Sequence, residues 1–352
     1  MKKRTTFLSI LLTLLSCFTV YSCEKPTELN EENAVWHNGY TVPLDDLGVD
    51  GEMYLDNTSH DYYKKENGTW NLVGNKKGKK VKQKWDSDGK LTILAIGNSF
   101  SDDALWLLPN VLRSLGVTKR YKIHIANLYI GSCSLQTHYA NLESESAVYE
   151  YKSNVGSGWK TTQNATSLSG ILDDDWDYIT LQQNSADVGL ADTYSCIDEM
   201  IKLVEKEKPN AKIGWHMTWA FQQDYVNSRF ETYNNDQTTM YNAIIDAVKS
   251  KVTDNLNVNF VIPNGTVVQN ARTSFLGDTL TRDGYHLSKD IGRYMTALTY
   301  AHLTTGYSID DVSFAPTGVS DDIKKVCIES VKNAIEKPYE ITQSTFTIPP
   351  NA

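Results

Sequence analysis

The sequence predicts an α/β fold, a five-stranded parallel sheet covered by helices on both faces in a three-layer α/β/α arrangement. Three observations carry this. From residue 89 onward, short apolar runs alternate with helical patterns. The runs are largely apolar, as strands buried on both faces are. Between them, apolar residues recur at helical spacing, as in Ile197, Met200, Ile201 and Val204.

In chain order, the first element reads as a targeting signal. Lys2, Lys3 and Arg4 precede an apolar stretch, 7–20, that is short for a membrane span. Val20-Tyr21-Ser22-Cys23 then resembles a bacterial lipobox. The expectation is a signal peptide over 1–22, a lipidated Cys23 and a polar tether over 23–33. Such a protein is anchored at a Gram-negative cell envelope, periplasmic or outer-membrane-associated, and meets the membrane only through its lipid. Leu14-Leu15-Ser16-Cys17 is a second match, but cleavage there leaves a shorter apolar core and keeps 18–21 in the tether.

Residues 34–88 form a small β module and a Lys-rich linker. Runs at 51–56, 61–64 and 67–74 read as three short strands, joined at Asn57-Thr58-Ser59 and Glu66-Asn67-Gly68. The stretch resembles the aromatic meander modules of bacterial surface and fibre proteins, and its aromatics are expected to pack the little sheet. The basic run at 76–84 reads as a solvated linker.

The main domain, 89–352, has strand candidates at 91–96, 121–127, 178–182, 212–217 and 257–262. A helical pattern opens at Asp102 after the first strand, and another, behind an Asp236 cap, carries Met240, Tyr241, Ile244, Ile245 and Val248. Between 143 and 172, Tyr149, Tyr151 and Trp159 sit in a segment that reads as a hairpin near the rim. Ligands of parallel sheets bind at the carboxyl ends of the strands.

Composition narrows the function. A net charge of −9 argues against nucleic acid as a partner. With Cys17 removed and Cys23 lipidated, Cys133, Cys196 and Cys327 remain, an odd number suited to buried filling. There is no C-x-x-C or H-E-x-x-H, and neither a metal nor a cofactor is expected.

The chemistry-bearing residues gather at strand ends. Gly97-Asn98-Ser99-Phe100-Ser101 joins the first strand to a helix, where free N–H groups and the helix dipole favour an oxyanion. A serine there also suits a plain helix cap. Gly131 follows the second strand and offers a bare backbone N–H. Gln182-Gln183-Asn184-Ser185 follows the third with side-chain amides. Asp283-Gly284-Tyr285-His286 follows the fifth, ahead of a helix starting at Ser288. Its spacing lets the carboxylate fold back onto the imidazole and leaves the other ring nitrogen for Ser99. Together these are the parts acyl transfer needs: nucleophile, base, orienting acid and oxyanion donors.

That order resembles the SGNH (GDSL-type) hydrolase superfamily over about 91–305, and more narrowly a branch of secreted bacterial proteins labelled as domains of unknown function. The G-N-S-F-S, L-Q-Q-x-S and D-G-Y-H-L-S blocks carry the resemblance, with Asn264-Gly265-Thr266 and Gly292-Arg293-Tyr294 adding to it. It implies a flavodoxin-like sheet, a Ser99–His286–Asp283 triad, and an oxyanion hole from Ser99, Gly131 and Asn184, with Gln182 as the alternative to Asn184. The chain departs from the superfamily at Asn98, where an Asp is usual, and in lacking G-x-N-D in the third block.

Trp215 and Trp219, at the exit of the fourth strand, are expected to wall the substrate, with core packing as the alternative, while His138 and His216 are candidate site residues that read as structural. The expected activity is a serine esterase removing small acetyl-like groups from esterified carbohydrate or another small ester. A lipid esterase or acyltransferase on the same fold is one alternative. A non-catalytic glycan-binding envelope lipoprotein is another.

Overall fold

The computed structural model describes residues 34–39, 43–56, 61–75, 88–253, 255 and 257–349. The expected signal segment, Cys17, Cys23, the tether and the basic run at 76–84 lie outside the described residues.

The first sheet has four strands, β1 (Trp36–Gly39), β2 (Met53–Asp56), β3 (Asp61–Glu66) and β4 (Thr69–Asn75), in sequential order. The pairs β2–β3 and β3–β4 are antiparallel, as the turn residues predict. β1 is an addition that pairs parallel with β2, so the module is more than a meander. Tyr54, Tyr63 and Trp70 make its core. Lys65, only 4% exposed, donates to the carbonyls of Asp45, Leu47 and Gly48 and so ties the 44–48 loop over that core.

The second sheet contains β5 (Lys90–Gly97), β6 (Lys122–Tyr129), β7 (Tyr149–Asn154), β8 (Trp159–Ala165), β9 (Tyr178–Leu181), β10 (Lys212–His216) and β11 (Phe260–Ile262). Their order is β11-β10-β9-β5-β6-β7-β8. The five strands expected from the apolar runs are the parallel ones. The sheet is wider than expected, because the segment read as a rim hairpin, β7–β8, joins β6 antiparallel and brings it to seven strands.

Side chains alternate between the two layers. Leu91, Ile93 and Ala95 of β5 enter one core, and Leu94 and Ile96 the other. The first core is closed by helices Ser99–Leu105, Leu108–Ser114, Asn264–Arg272, Ile291–Thr305 and Asp321–Glu336. The second is closed chiefly by Ile197–Glu207 and Gln237–Val248, which bury every residue the helical spacing picked out, the latter helix burying Gln237 and Ala247 as well.

In chain order the parallel strands lie 2-1-3-4-5, so the winding reverses between β5 and β9. A crevice opens at the carboxyl ends of strands at such a point. Two boundaries differ from expectation. A helix, Asn264–Arg272, separates β11 from the Asp283–His286 loop, and the helix after that loop starts at Ile291, capped by Asp290, rather than at Ser288.

Candidate active site

Ser99 is the first residue of helix Ser99–Leu105, at the carboxyl end of β5. The helix is capped by neither serine. Asn98 caps it, its Oδ1 accepting the Phe100 N–H at 2.9 Å and the Gln182 Nε2–H at 2.8 Å, while its Nδ2 donates to the Cys133 carbonyl at 3.2 Å. This leaves the Ser99 hydroxyl unspent on the backbone. Glycine is needed at 97, since a Cβ there would meet Ser101 Oγ at 2.2 Å.

The Asp283–His286 loop is shaped by its own backbone. The Asp283 Oδ1 accepts the His286 N–H at 2.8 Å, and Thr281 bridges to Leu287 across the turn. Gly284 has φ +90°, and a Cβ on it would strike Tyr225 at 2.2 Å. The fold-back aligns His286 Nδ1 with Asp283 Oδ2 at 2.7 Å and His286 Nε2 with Ser99 Oγ at 2.8 Å. Burial pushes the Asp283 carboxyl up, but the His286 ring and the His286 and Tyr285 N–H groups outweigh it and hold the acid below its ordinary 3.8. The group facing Nδ1 is therefore a carboxylate.

The expected oxyanion donors are of two kinds. Among the described residues, neither the Ser99 N–H nor the Gly131 N–H meets a backbone or side-chain acceptor. Asn184 is more committed. Its Oδ1 accepts the Ala186 and Asp187 N–H groups and its Nδ2 donates to Asp187 at 2.6 Å, which leaves one amide hydrogen. It lines a cavity of about 330 Å³ with Ser132, Thr137, Asp187 and Arg229. Gln182 is no alternative donor. It is 1% exposed, and its amide is spent on Asn98, Ser101 and His216 beneath the site.

The structure corrects the expected aromatic wall. Trp215 and Trp219 are both 0% exposed. Trp215 packs inside one core against Tyr194. Trp219 stacks on Phe100 at 4.2 Å and donates Nε1–H to the Tyr285 carbonyl at 2.7 Å, so it supports the His286 loop from below. His138 and His216 are buried and structural, and burial pushes both imidazoles down to about 3. Cys133, Cys196 and Cys327 are free and buried.

Sequence reasoning missed the clamp on the histidine loop. Asp103, 0% exposed, accepts from Arg282 at 2.9 and 3.0 Å, from Arg293 Nε at 2.8 Å and from the Leu287 N–H at 2.9 Å. It joins the serine helix to the loop that carries His286. It missed also a second cavity of about 390 Å³, lined by Asp102, Trp106, Glu150, Lys152, Trp159 and Gln163.

The model of a family described as a domain of unknown function (DUF4886) matches residues 92–334, and the chain belongs to that family. It is similar to the crystal structure of a DUF4886 family protein from Bacteroides uniformis, with 34% identity over 73% of this chain and 98% of that one, and a TM-score of 0.68. More distant is a provisionally assigned GDSL-like lipase from Parabacteroides merdae, with 14% identity, 65% and 98% coverage and a TM-score of 0.43. A carbohydrate esterase family 3 structure from Talaromyces cellulolyticus has 13% identity, 63% and 100% coverage and a TM-score of 0.33. Both are too far away for chemistry to be carried over. Among curated proteins, collagen-like protein 6 of Acanthamoeba polyphaga mimivirus is 46% identical over 43 residues, which are 12% of this chain and 3% of that protein.

Proposed function

We propose that this member of the DUF4886 family is a serine hydrolase of the SGNH type that removes small acyl groups, acetyl above all, from a carbohydrate at the cell envelope, held there by a lipid on Cys23. The observation that carries the reading is the unbroken line from Ser99 Oγ to His286 Nε2 at 2.8 Å and from His286 Nδ1 to Asp283 at 2.7 Å. Its position at the strand-order reversal adds to it.

In this reading Ser99 Oγ attacks the ester carbonyl as the neutral imidazole takes its proton at Nε2. The Asp283 carboxylate keeps Nδ1 protonated and stabilises the imidazolium. The tetrahedral oxyanion turns toward the Ser99 and Gly131 N–H groups, with the remaining Asn184 amide hydrogen as third donor. His286 then gives its proton to the leaving alcohol, and water, activated the same way, releases the acid from Ser99. A polar substrate is favoured over a long lipid chain because hydroxyl, amide and charged groups line both described cavities.

The full chain is expected to hydrolyse 4-nitrophenyl acetate. Ser99→Ala and His286→Ala are each expected to cut the rate by at least about three orders of magnitude, and Asp283→Ala by somewhat less, because triad members act as a unit. A folded Ser99→Ala protein as active as wild type, or a wild type inert on every ester, rejects the reading. Fractionation of Cys23→Ala checks the anchor, since a variant that stays with the membrane counts against it.

A further inference from the structure

The cavity beside the serine helix is not explained by the triad. Asp102 and Trp106, the C-cap, lie three and seven positions after Ser99, so they stand about 5 and about 10 Å further along the axis of that helix. The opposite wall is the β7–β8 hairpin. Trp106, 43% exposed, stacks with Trp159 at 5.8 Å and 11°, and the Trp159 Nε1–H donates to the Trp106 carbonyl at 3.1 Å. Around the indoles stand polar groups. Asp102 Oδ2 pairs with Lys152 at 2.5 Å, Glu150 approaches Lys152 at 3.4 Å, and Asn127 Nδ2 bridges Asp102 Oδ1 at 2.7 Å to the Asn98 carbonyl at 3.4 Å. Gln163 is exposed and makes no side-chain hydrogen bond within the described residues.

We infer that this cavity is a binding subsite for a neutral pyranose of the ester-bearing saccharide, an inference that rests on the esterase reading for its connection to Ser99. The chemistry of the wall selects the class. A pyranose has apolar C–H faces, which suit indole, and hydroxyl edges that donate and accept, which suit carboxylate, ammonium and amide together. A flat phenolic ring would cover the indoles but leave these charged groups desolvated and unanswered. Lys152 is held by Asp102 and Glu150, and the Arg293 guanidinium, 5.3 Å from the Trp106 ring, is held by Asp103, so both nearby cations are already paired and a uronate or phosphate is disfavoured. The volume, about 390 Å³, is within the range of small-molecule clefts. The Asp102–Asn127–Asn98 chain fixes the floor of this cavity to the turn that presents Ser99.

The test compares the full-length wild type, Trp159→Ala and Gln163→Ala on partially O-acetylated glucomanno-oligosaccharides and on 4-nitrophenyl acetate. The quantity read is the ratio of kcat/KM for the saccharide to that for the small ester. Trp159→Ala is expected to lower it about tenfold through KM, and Gln163→Ala about threefold. Should Trp159→Ala fail to fold, Gln163→Ala alone decides. A ratio unchanged in the folded variants, or a wild type that cleaves 4-nitrophenyl acetate and no saccharide ester, overturns the subsite and leaves the esterase reading standing. A ratio that falls only when methyl ferulate replaces the saccharide overturns the sugar class. If the wild type cleaves nothing, the esterase reading fails, and a fluorescence titration of Ser99→Ala with the same oligosaccharide decides the subsite. Quenching that disappears with Trp159→Ala supports it, and absence of quenching rejects it.

Discussion

Asp102 and Asp103 are neighbours on one helix and live in opposite environments. Asp103 is fully buried and takes hydrogen bonds from Arg282, Arg293 and the Leu287 N–H. Asp102 has a side chain 19% exposed and faces Lys152 and Asn127 on the wall of an open cavity. One carboxylate is saturated by the protein, and the other keeps part of its bonding capacity for something outside it. The helix that begins at Ser99 thus has a side that is built in and, under the proposed reading, a side that receives.

Breaking the built-in side is expected to cost most. Asp103→Asn leaves two guanidinium groups without their shared carboxylate, and loss of one partner from a buried ion pair costs about 3–5 kcal/mol. Urea unfolding is expected to show that loss, together with a lower turnover, because the clamp holds the loop of His286. An Asp103→Asn protein as stable as wild type would show that the clamp is no more structural than its neighbour.

The second effect is the part of the acid limb of stability that two buried imidazoles supply. In the unfolded chain His138 and His216 take up protons below about 6.5, and in the folded chain only below about 3. Between those values the unfolded chain binds more protons, so stability is complete above 6.5 and falls as the pH is lowered. Each imidazole is expected to contribute about 1.4 kcal/mol per pH unit of that fall. Melting curves from pH 7 to pH 4 measure it, and His216→Gln is expected to make the slope shallower. A slope the same in both proteins would remove His216 from the account.

Asp102→Asn is expected to be the mildest. Burial raises the Asp102 carboxyl despite the Lys152 ammonium, so the ionised form pays a desolvation cost that offsets much of its pairing. Lys152 also keeps Glu150 at 3.4 Å as a carboxylate partner when the Asp102 charge is removed. Unfolding free energy is expected to stay within about 1 kcal/mol of wild type, while the ratio of saccharide to small-ester turnover drops. A change as large as that of Asp103→Asn would erase the contrast between the two sides.

The parts legible in the sequence share a physical cause. Strands buried on both faces read as apolar runs, so β5, β6, β9, β10 and β11 stood out. Ser99 stands at the end of β5, and Asp283 and His286 share one four-residue turn, so these short local patterns could be read without contacts. β7 and β8 could not be read as sheet members, since their exposed residues, such as Lys160, Thr161 and Thr162, carry no apolar signature. The Asp103 clamp spans 179 and 190 residues and leaves no local pattern at all. Trp215 and Trp219 misled because an aromatic after a strand looks the same whether it turns outward or inward, and here both turn inward.

The hairpin that walls the cavity also ends the sheet. β6 is buried along most of its length and is paired on its outer side only by β7. At the far edge β8 presents a row of lysine, threonine, glutamine and asparagine to water, a surface poor at recruiting another chain. At the opposite edge β11 is only three residues long, too short to template much pairing. A shortened domain lacking β7 and β8 would bare the amide and carbonyl groups of an apolar strand and is expected to self-associate. Side chains along β8 are free to vary, but the strands themselves are not dispensable, because the outer pairing of β6 rests on one hairpin.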